Sequence, residues 1–354
     1  MSYTPRFQLT PSFLNLITQA TELRAWIARS VIDVVWLPRL QRETASRLAH
    51  SSTSIEGNPL TLPEVEALAR GETTGPVTPA VREVLNCLAA MRWIWNQKPR
   101  AALTEDTLLQ IHRLLTKDLL PALSVGHYKT RPNRIVDSQG RTVHTPPPPE
   151  QARSLTQELI AWISSPEAAE LHAAIVSAVA HHRLVSIHPF SDGNGRVARA
   201  LGVWVLYTRG FDTHHLFALD EQFEADRARY YLKIQQARDL DDDLTYWLDY
   251  VGDALVATLR QTRNRIQSLA VSVRAPRILL TRRQEDVLRL LRDKGRLKSP
   301  DIERAFRVSR ARVGQIVTPL ITAGLVLREG QTRATTYSLA DGPARSKARS
   351  RDDQ

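Results

Sequence analysis

Residues 188–199 read His-Pro-Phe-Ser-Asp-Gly-Asn-Gly-Arg-Val-Ala-Arg, and nearly every type among them has a use in phosphorus chemistry. Gly193, Asn194 and Gly195 precede a helical run, and a glycine-opened helix start offers free backbone N–H groups and positive partial charge to an anion such as phosphate. Arg196 and Arg199 stand three apart, so both project from one face of the first helical turn, where guanidinium forks suit phosphate oxygens. Asp192 is a hard oxygen ligand beside that cradle, suited to a magnesium ion that also touches phosphate. His188 sits at the other lip of the loop, and an imidazole titrating at about 6.5 can accept a hydroxyl proton near neutral pH. Base, metal ligand, anion cradle and two arginines are the parts of an in-line phosphoryl or nucleotidyl transfer.

Positioning these parts falls to helices. Apolar residues recur at helical spacing over residues 13–29, 40–51, 80–96, 103–116, 150–164, 168–185, 197–209 and 225–238. Thr61, Pro63 and Glu64 mark a further helix start. Residues 126–149 break the pattern: 134–136 and 141–143 are short extended runs around Asp137-Ser138-Gln139-Gly140, and four prolines, Pro146 to Pro149, close the segment. The fold class expected is mainly α, with one small β-hairpin and a separate C-terminal domain.

The 188–199 stretch resembles the signature of the Fic family at every fixed position, and the resemblance extends over about residues 13–253. It implies a Fic-type helical core whose hairpin is a flap that holds the target. It further implies transfer of AMP from ATP to a serine, threonine or tyrosine of a protein. His188 would be the base and Asp192 the Mg2+ ligand. Gly193, Asn194, Gly195 and Arg196 would hold the inner phosphates, and Arg199 the γ-phosphate. Gly126, Tyr128 and Lys129 match the flap, with lysine where the family often has arginine. Tyr231, beside Tyr230 and about two turns before Arg238, matches the helix lining the adenine pocket. Ser52-Thr53-Ser54-Ile55-Glu56-Gly57 resembles the family's inhibitory motif, with Ser52, Glu56 and Gly57 at its fixed positions. Glu56 would pair with Arg199 and take the place of the γ-phosphate. In some relatives the same glutamate helps remove AMP, and some members transfer other groups, so de-AMPylation and other transferred groups stay open.

The net charge of +11 is concentrated at one end. Residues 271–354 hold 19 Lys/Arg against 9 Asp/Glu, and the remainder is close to neutral. Residues 281–339 read as three helices and a two-stranded hairpin, resembling a winged helix-turn-helix. In its third helix Arg310, Arg312 and Gln315, with Arg333 on the wing, could meet DNA. Pro319 is expected to kink or end that helix early. A protein-interaction module is the other reading of this domain, and a DNA-binding regulator with a nucleotide-sensing core is the alternative for the chain. The division expected is 1–100 for an N-terminal helical region with the inhibitory motif, 101–253 for the Fic core, 254–279 for a helical linker, 280–340 for the winged helix and 341–354 for a basic disordered tail. One cysteine, Cys87, excludes an internal disulfide, and no apolar run approaches the roughly 20 residues of a membrane span. A cytoplasmic protein is expected. Its partners would be a protein substrate (itself included, by self-modification), DNA and a second copy in a homodimer, with no membrane.

Overall fold

Ala-Ala-Ile-Val-Ser-Ala-Val-Ala-His-His-Arg-Leu-Val-Ser-Ile has almost no polar face, and it forms the central helix, Ala173–Ile187, buried nearly all round. Its small residues let a second helix, Asn194–Thr208, cross closely. Ser177 Oγ donates to the Gly202 carbonyl at 3.0 Å, and a Cβ on Gly202 would come within 3.2 Å of that oxygen. The computed structural model describes residues 3–30, 36–72, 75–136, 139–212, 214–272, 280–330 and 335–340. The order among them is α1 (Pro11–Arg29), α2 (Trp36–Ser54), α3 (Leu62–Ala69), α4 (Pro79–Trp95), α5 (Glu105–Thr116), β1 (Ile135–Val136), β2 (Thr142–His144), α6 (Pro149–Ile163), α7 (Pro166–Glu170), α8 (Ala173–Ile187), α9 (Asn194–Thr208), α10 (Asp220–Ala225), α11 (Arg227–Asp239), α12 (Thr245–Ser272), α13 (Arg282–Lys294), β3 (Arg296–Lys298), α14 (Ser299–Phe306), α15 (Arg310–Thr322), β4 (Val326–Glu329) and β5 (Thr336–Leu339).

The chain forms two compact units, residues 1–30 with 43–265, and residues 31–42 with 266–354. In the first, the apolar faces of α4, α5, α6, α11 and α12 surround the α8–α9 pair, and β1–β2 is an antiparallel hairpin with a register shift. Trp247 on α12 is fully enclosed, its indole N–H donating to the Ala178 carbonyl at 2.8 Å. In the second, α13, α14 and α15 pack on an antiparallel sheet of order β3-β5-β4 over a small apolar core that includes Val287, Leu291, Ile302, Val313, Val317 and Leu320.

Several expectations change. The single helix expected over 168–185 is two, because His172 interrupts it and its Nδ1 accepts from the Ala174 N–H to start α8. The helix expected over 225–238 starts two residues later, at Arg227, capped by the Asp226 carboxylate, which accepts from the Arg229 N–H. α12 runs unbroken through position 253, burying Leu255, Val256 and Leu259 beyond it. α15 continues through Pro319 to Thr322, since the missing N–H falls in its last turn and costs the helix one bond near an end. β3 was not foreseen. Asp137, Ser138, residues 273–279 of the expected linker, Arg333 and the tail at 341–354 lie outside the described residues.

Three enclosed histidines make stability depend on pH. Burial pushes His112 on α5 down to about 4, His182 on α8 down to about 3, and His181 well below the ordinary imidazole range. Below about pH 6.5 the unfolded chain takes up protons that the folded chain refuses, so stability falls as pH drops. Each histidine contributes up to about 1.4 kcal/mol per pH unit, between about 6.5 and 4. The melting temperature should hold between pH 7 and 8 and fall between pH 6.5 and 5. A flat profile would mean that these imidazoles take up protons without unfolding.

Candidate active site

The loop between α8 and α9 is shaped by its own sequence. α8 ends on His188, held in the left-handed region at φ 51° and ψ 56°. A non-glycine residue there costs about 1 kcal/mol and is retained where the surroundings fix it. The His188 N–H still donates to the Leu184 carbonyl at 2.9 Å. Its Nδ1 lies 3.2 Å from the Val185 carbonyl, which can only accept, so Nδ1 carries the proton and the Nε2 lone pair is left for another donor. Burial pushes this imidazole down to about 4, the Val185 carbonyl opposing and the positive charges of Lys129 and Arg238 assisting. Arg238 braces the same helix end, donating to Ser186 Oγ and to the Val185 carbonyl, each at 3.0 Å.

Gly193 caps α9 at φ 80°, where a side chain would be strained and a Cβ would run into Thr116. The N–H groups of the first turn of α9 are left without intrahelical partners. Asn194 turns inward: its Oδ1 accepts from the Phe190 N–H and its Nδ2 donates to the Phe190 carbonyl, both at 2.9 Å. The side chain expected at the phosphates therefore closes the loop on itself. Asp192 is mostly exposed; one carboxylate oxygen accepts from the Gly193 N–H at 2.6 Å, and the other lies 3.8 Å from Arg196 Nη2.

Arg199 is 2% exposed and surrounded by partners. Nε donates to Ser52 Oγ at 2.9 Å, and Nη2 donates to the Ser52 carbonyl and to Glu56 Oε1, each at 2.7 Å. Asp220 Oδ2, also buried, lies 3.5 Å from Nε. Nη1 faces the Tyr230 hydroxyl at 3.5 Å, which in turn is 2.8 Å from His181 Nε2. The carboxylates of Glu56 and Asp220 together hold the guanidinium's pKa above its already high ordinary value, against the effect of burial. The Glu56 carboxylate lies over the first turn of α9, so that a Cβ on Gly195 would collide with it. Gly57 follows at φ 97°. Arg196, almost fully buried, is 2.8 Å from Glu83 on α4.

Gly126, Tyr128 and Lys129 anchor the chain that leads into the hairpin. The Gly126 N–H donates to His112 Nδ1 at 2.9 Å, so the other ring nitrogen of His112 donates to the Asp192 carbonyl at 3.2 Å. Tyr128 and His112 both stack on Phe190. The Lys129 N–H donates to the Pro189 carbonyl, and its ammonium donates to Asn133 Oδ1 at 2.7 Å. Asn133 passes the tie on, donating to the Phe190 carbonyl at 3.0 Å, and His144 on β2 donates to the Ser186 carbonyl at 2.9 Å. Tyr231 is half-exposed, and its hydroxyl donates to the Ile55 carbonyl at 3.3 Å, immediately before Glu56. His188, Asp192, Gly193, Gly195, Arg196 and Arg199 thus meet Ser52, Glu56 and Tyr231 around one loop. Sequence reasoning missed Glu83, His112, Asn133, His144 and Asp220. Arg310, Arg312 and Gln315 lie in the other unit, exposed at the start of α15, with Arg312 donating to Gln315 Oε1 at 2.7 Å.

The fold is that of a helical domain built around a glycine-capped helix start with a histidine on the lip of its loop. Residues 102–206 match the Fic/DOC family, and the chain carries a Fic domain. It is 30% identical over 179 residues to the protein adenylyltransferase Fic of Nematostella vectensis, covering 49% of this chain and 40% of that one. It is 27% identical over 226 residues to that of Drosophila virilis, covering 63% and 44%. The chain thus spans less than half the length of these relatives. In fold it is similar to a Fic family protein from Desulfovibrio desulfuricans G20, with a TM-score of 0.67 at 22% identity over 97% of this chain and 100% of that one. It is also similar to Fic-1 from C. elegans, with a TM-score of 0.60 at 22% identity over 72% and 73%.

Proposed function

We propose that this chain transfers AMP from ATP to a serine, threonine or tyrosine hydroxyl of a protein, and that Glu56 holds it inactive. The observation that carries the reading is the Glu56 carboxylate on Arg199 at 2.7 Å, over the free N–H groups of α9: an anion already sits where a phosphate would bind. The names of the Nematostella and Drosophila relatives support the same chemistry.

With Glu56 withdrawn, the triphosphate lies along the start of α9, with Arg199 on its outer phosphate and Arg196 and the backbone N–H groups on the inner ones. His188 Nε2 takes the proton of the incoming hydroxyl. The alcohol oxygen forms a bond to the α-phosphorus, the bond from that phosphorus to the β-phosphate oxygen breaks, and pyrophosphate leaves. Asp192 fits Mg2+, an ion usually held by one or two carboxylates together with phosphates and water. Its carboxylate is exposed at the lip, and no cluster of three His, Cys, Asp or Glu side chains occurs among the described residues. Bound there, Mg2+ would neutralise charge on the phosphates. Gly126, Tyr128 and Lys129 fix the hairpin against the loop, leaving its strand edge for the target backbone. Cys87 is buried with its thiol pushed up to about 12, which keeps it out of the chemistry. No helix among the described residues is long and apolar enough to cross a membrane.

The alternative is a DNA-binding regulator that uses the core as a nucleotide sensor. It is supported by the exposed Arg310, Arg312 and Gln315 on α15, in a unit of three helices and a three-stranded antiparallel sheet. One experiment separates the two. The full chain carrying Glu56→Gly is incubated with a cell lysate, a divalent cation and ATP labelled on the α- or the γ-phosphate. Protein-bound label from the α-phosphate alone is expected. Label from the γ-phosphate would mean phosphate transfer, and bound nucleotide with no adduct would favour the sensor.

A further inference from the structure

We propose that Glu83 is a second holding point of the inhibitory segment, joining Asn58 to Arg196. The inference rests on the reading that Arg196 binds triphosphate. Glu83 lies on α4, and each of its carboxylate oxygens has its own partner. Oε1 is 2.8 Å from Arg196 Nη1, and Oε2 accepts from Asn58 Nδ2 at 2.7 Å. The same Asn58 nitrogen donates to the Ala80 carbonyl at 3.0 Å, and Asn58 Oδ1 accepts from the Leu60 N–H at 3.1 Å. Arg196 and Glu83 are 7% and 16% exposed in their side chains, so water screens the pair little. The Nε and Nη1 of Arg196 are both buried without a hydrogen-bond partner among the described residues, so Glu83 holds Arg196 by charge rather than by an aligned hydrogen bond, and a phosphate oxygen would satisfy either donor.

Asn58 stands two residues beyond Glu56 in one tight turn. The N–H groups of Glu56 and Asn58 both donate to the Thr53 carbonyl, at 3.0 and 3.1 Å. The turn therefore carries Glu56 and Asn58 together. Glu56 engages Arg199, Asn58 engages Glu83, and Glu83 engages Arg196, so the segment restrains both arginines of the loop in parallel. A phosphate must displace a carboxylate from each. Removing Glu56 frees Arg199 and leaves Arg196 paired to Glu83.

Amide hydrogen exchange across residues 52–60 of the full chain tests the Asn58–Glu83 tie. Asn58→Asp keeps the size of the side chain and the acceptor for Leu60, but sets a carboxylate against Glu83. Exchange at residues 55–60 should quicken at least about tenfold, the worth of a charge-assisted hydrogen bond. Adding Glu83→Gln restores a donor and an acceptor with reversed polarity and should slow exchange again. Asn58→Ala, which removes the donor without adding charge, should give a smaller acceleration of about threefold or more and serves if the aspartate variant does not fold. A purely local role for Asn58 in the turn predicts that Asn58→Asp is silent and that Glu83→Gln rescues nothing, and either result overturns the tie. The Arg196 half is read in the Glu56→Gly chain. There Glu83→Gln should lower KM for ATP about threefold or more, with kcat changing less, because a competing carboxylate is gone. An unchanged or raised KM overturns it. The exchange arm needs no transfer, so a Glu56→Gly chain that labels nothing would remove the transferase reading while the tie is still judged.

Discussion

The Glu56→Gly chain should transfer AMP about 10- to 100-fold faster than the native chain at equal ATP. That range follows from the bond removed, since one charge-assisted hydrogen bond between carboxylate and guanidinium is worth about 1.5–3 kcal/mol. The Glu56–Arg199 contact is of that kind, at 2.7 Å with the arginine nearly dry. The energy of the pair is set against triphosphate binding in the right orientation, and a small misplacement of the reacting phosphorus can cost powers of ten in rate. The variant should still fold. Arg199 keeps Ser52 Oγ, the Ser52 carbonyl and the buried carboxylate of Asp220, so its charge is not abandoned in the core. Position 56 lies in the turn after α2, where glycine costs little. Glu56→Gln keeps the shape and loses the charge, so its rate should fall between the two. The measurement is the initial rate of label transfer from α-labelled ATP. No increase in Glu56→Gly would remove the inhibitory reading, whatever became of the transferase reading.

Much of this site could be read in the sequence because it is contiguous. The loop, its capping glycine and both arginines fall within residues 188–199, and the geometry of a helix start dictates which way they point. Glu56 is more than 100 residues away, and only the resemblance of its short motif tied it to Arg199. The residues that were missed carry no local signal. Glu83 reads as an ordinary charge on an amphipathic helix, and only the packing of α4 places it on Arg196. Asp220 reads as the start of a helix, yet it is a buried counter-charge to Arg199. His112 looks like one polar residue on a helix face, but it joins Gly126 to Asp192 through its two nitrogens. Residue type alone did not show that the amide of Asn194 bonds the Phe190 backbone, a contact made by loop closure. The helix break at His172 was hidden by apolar periodicity that runs across it, because a side-chain cap can start a new helix without proline or glycine.

His188→Ala in the Glu56→Gly background should lower kcat by about 10²- to 10⁴-fold, the usual worth of a positioned general base, and leave KM for ATP within about twofold. The split follows from placement. The groups that would hold the triphosphate are the start of α9, Arg196 and Arg199, whereas His188 stands on the opposite lip with Nδ1 committed to the Val185 carbonyl and Nε2 left to take a proton. Alanine keeps the loop closed, because the ties between Asn194 and Phe190, and between Asn133 and Phe190, do not involve the imidazole. The pH profile of kcat/KM gives a second and independent readout, since it reports the free enzyme. The active form of the base is neutral. Burial pushes the imidazole down to about 4, so it stays unprotonated well below the pH at which a free histidine would be charged. Transfer should therefore persist as pH is lowered through about 6.5, down to the pH at which the protein itself unfolds. An acid limb near 6.5 that vanishes with His188→Ala would place the imidazole in water rather than in the loop as described. Full activity in the alanine variant would assign the proton transfer to another group.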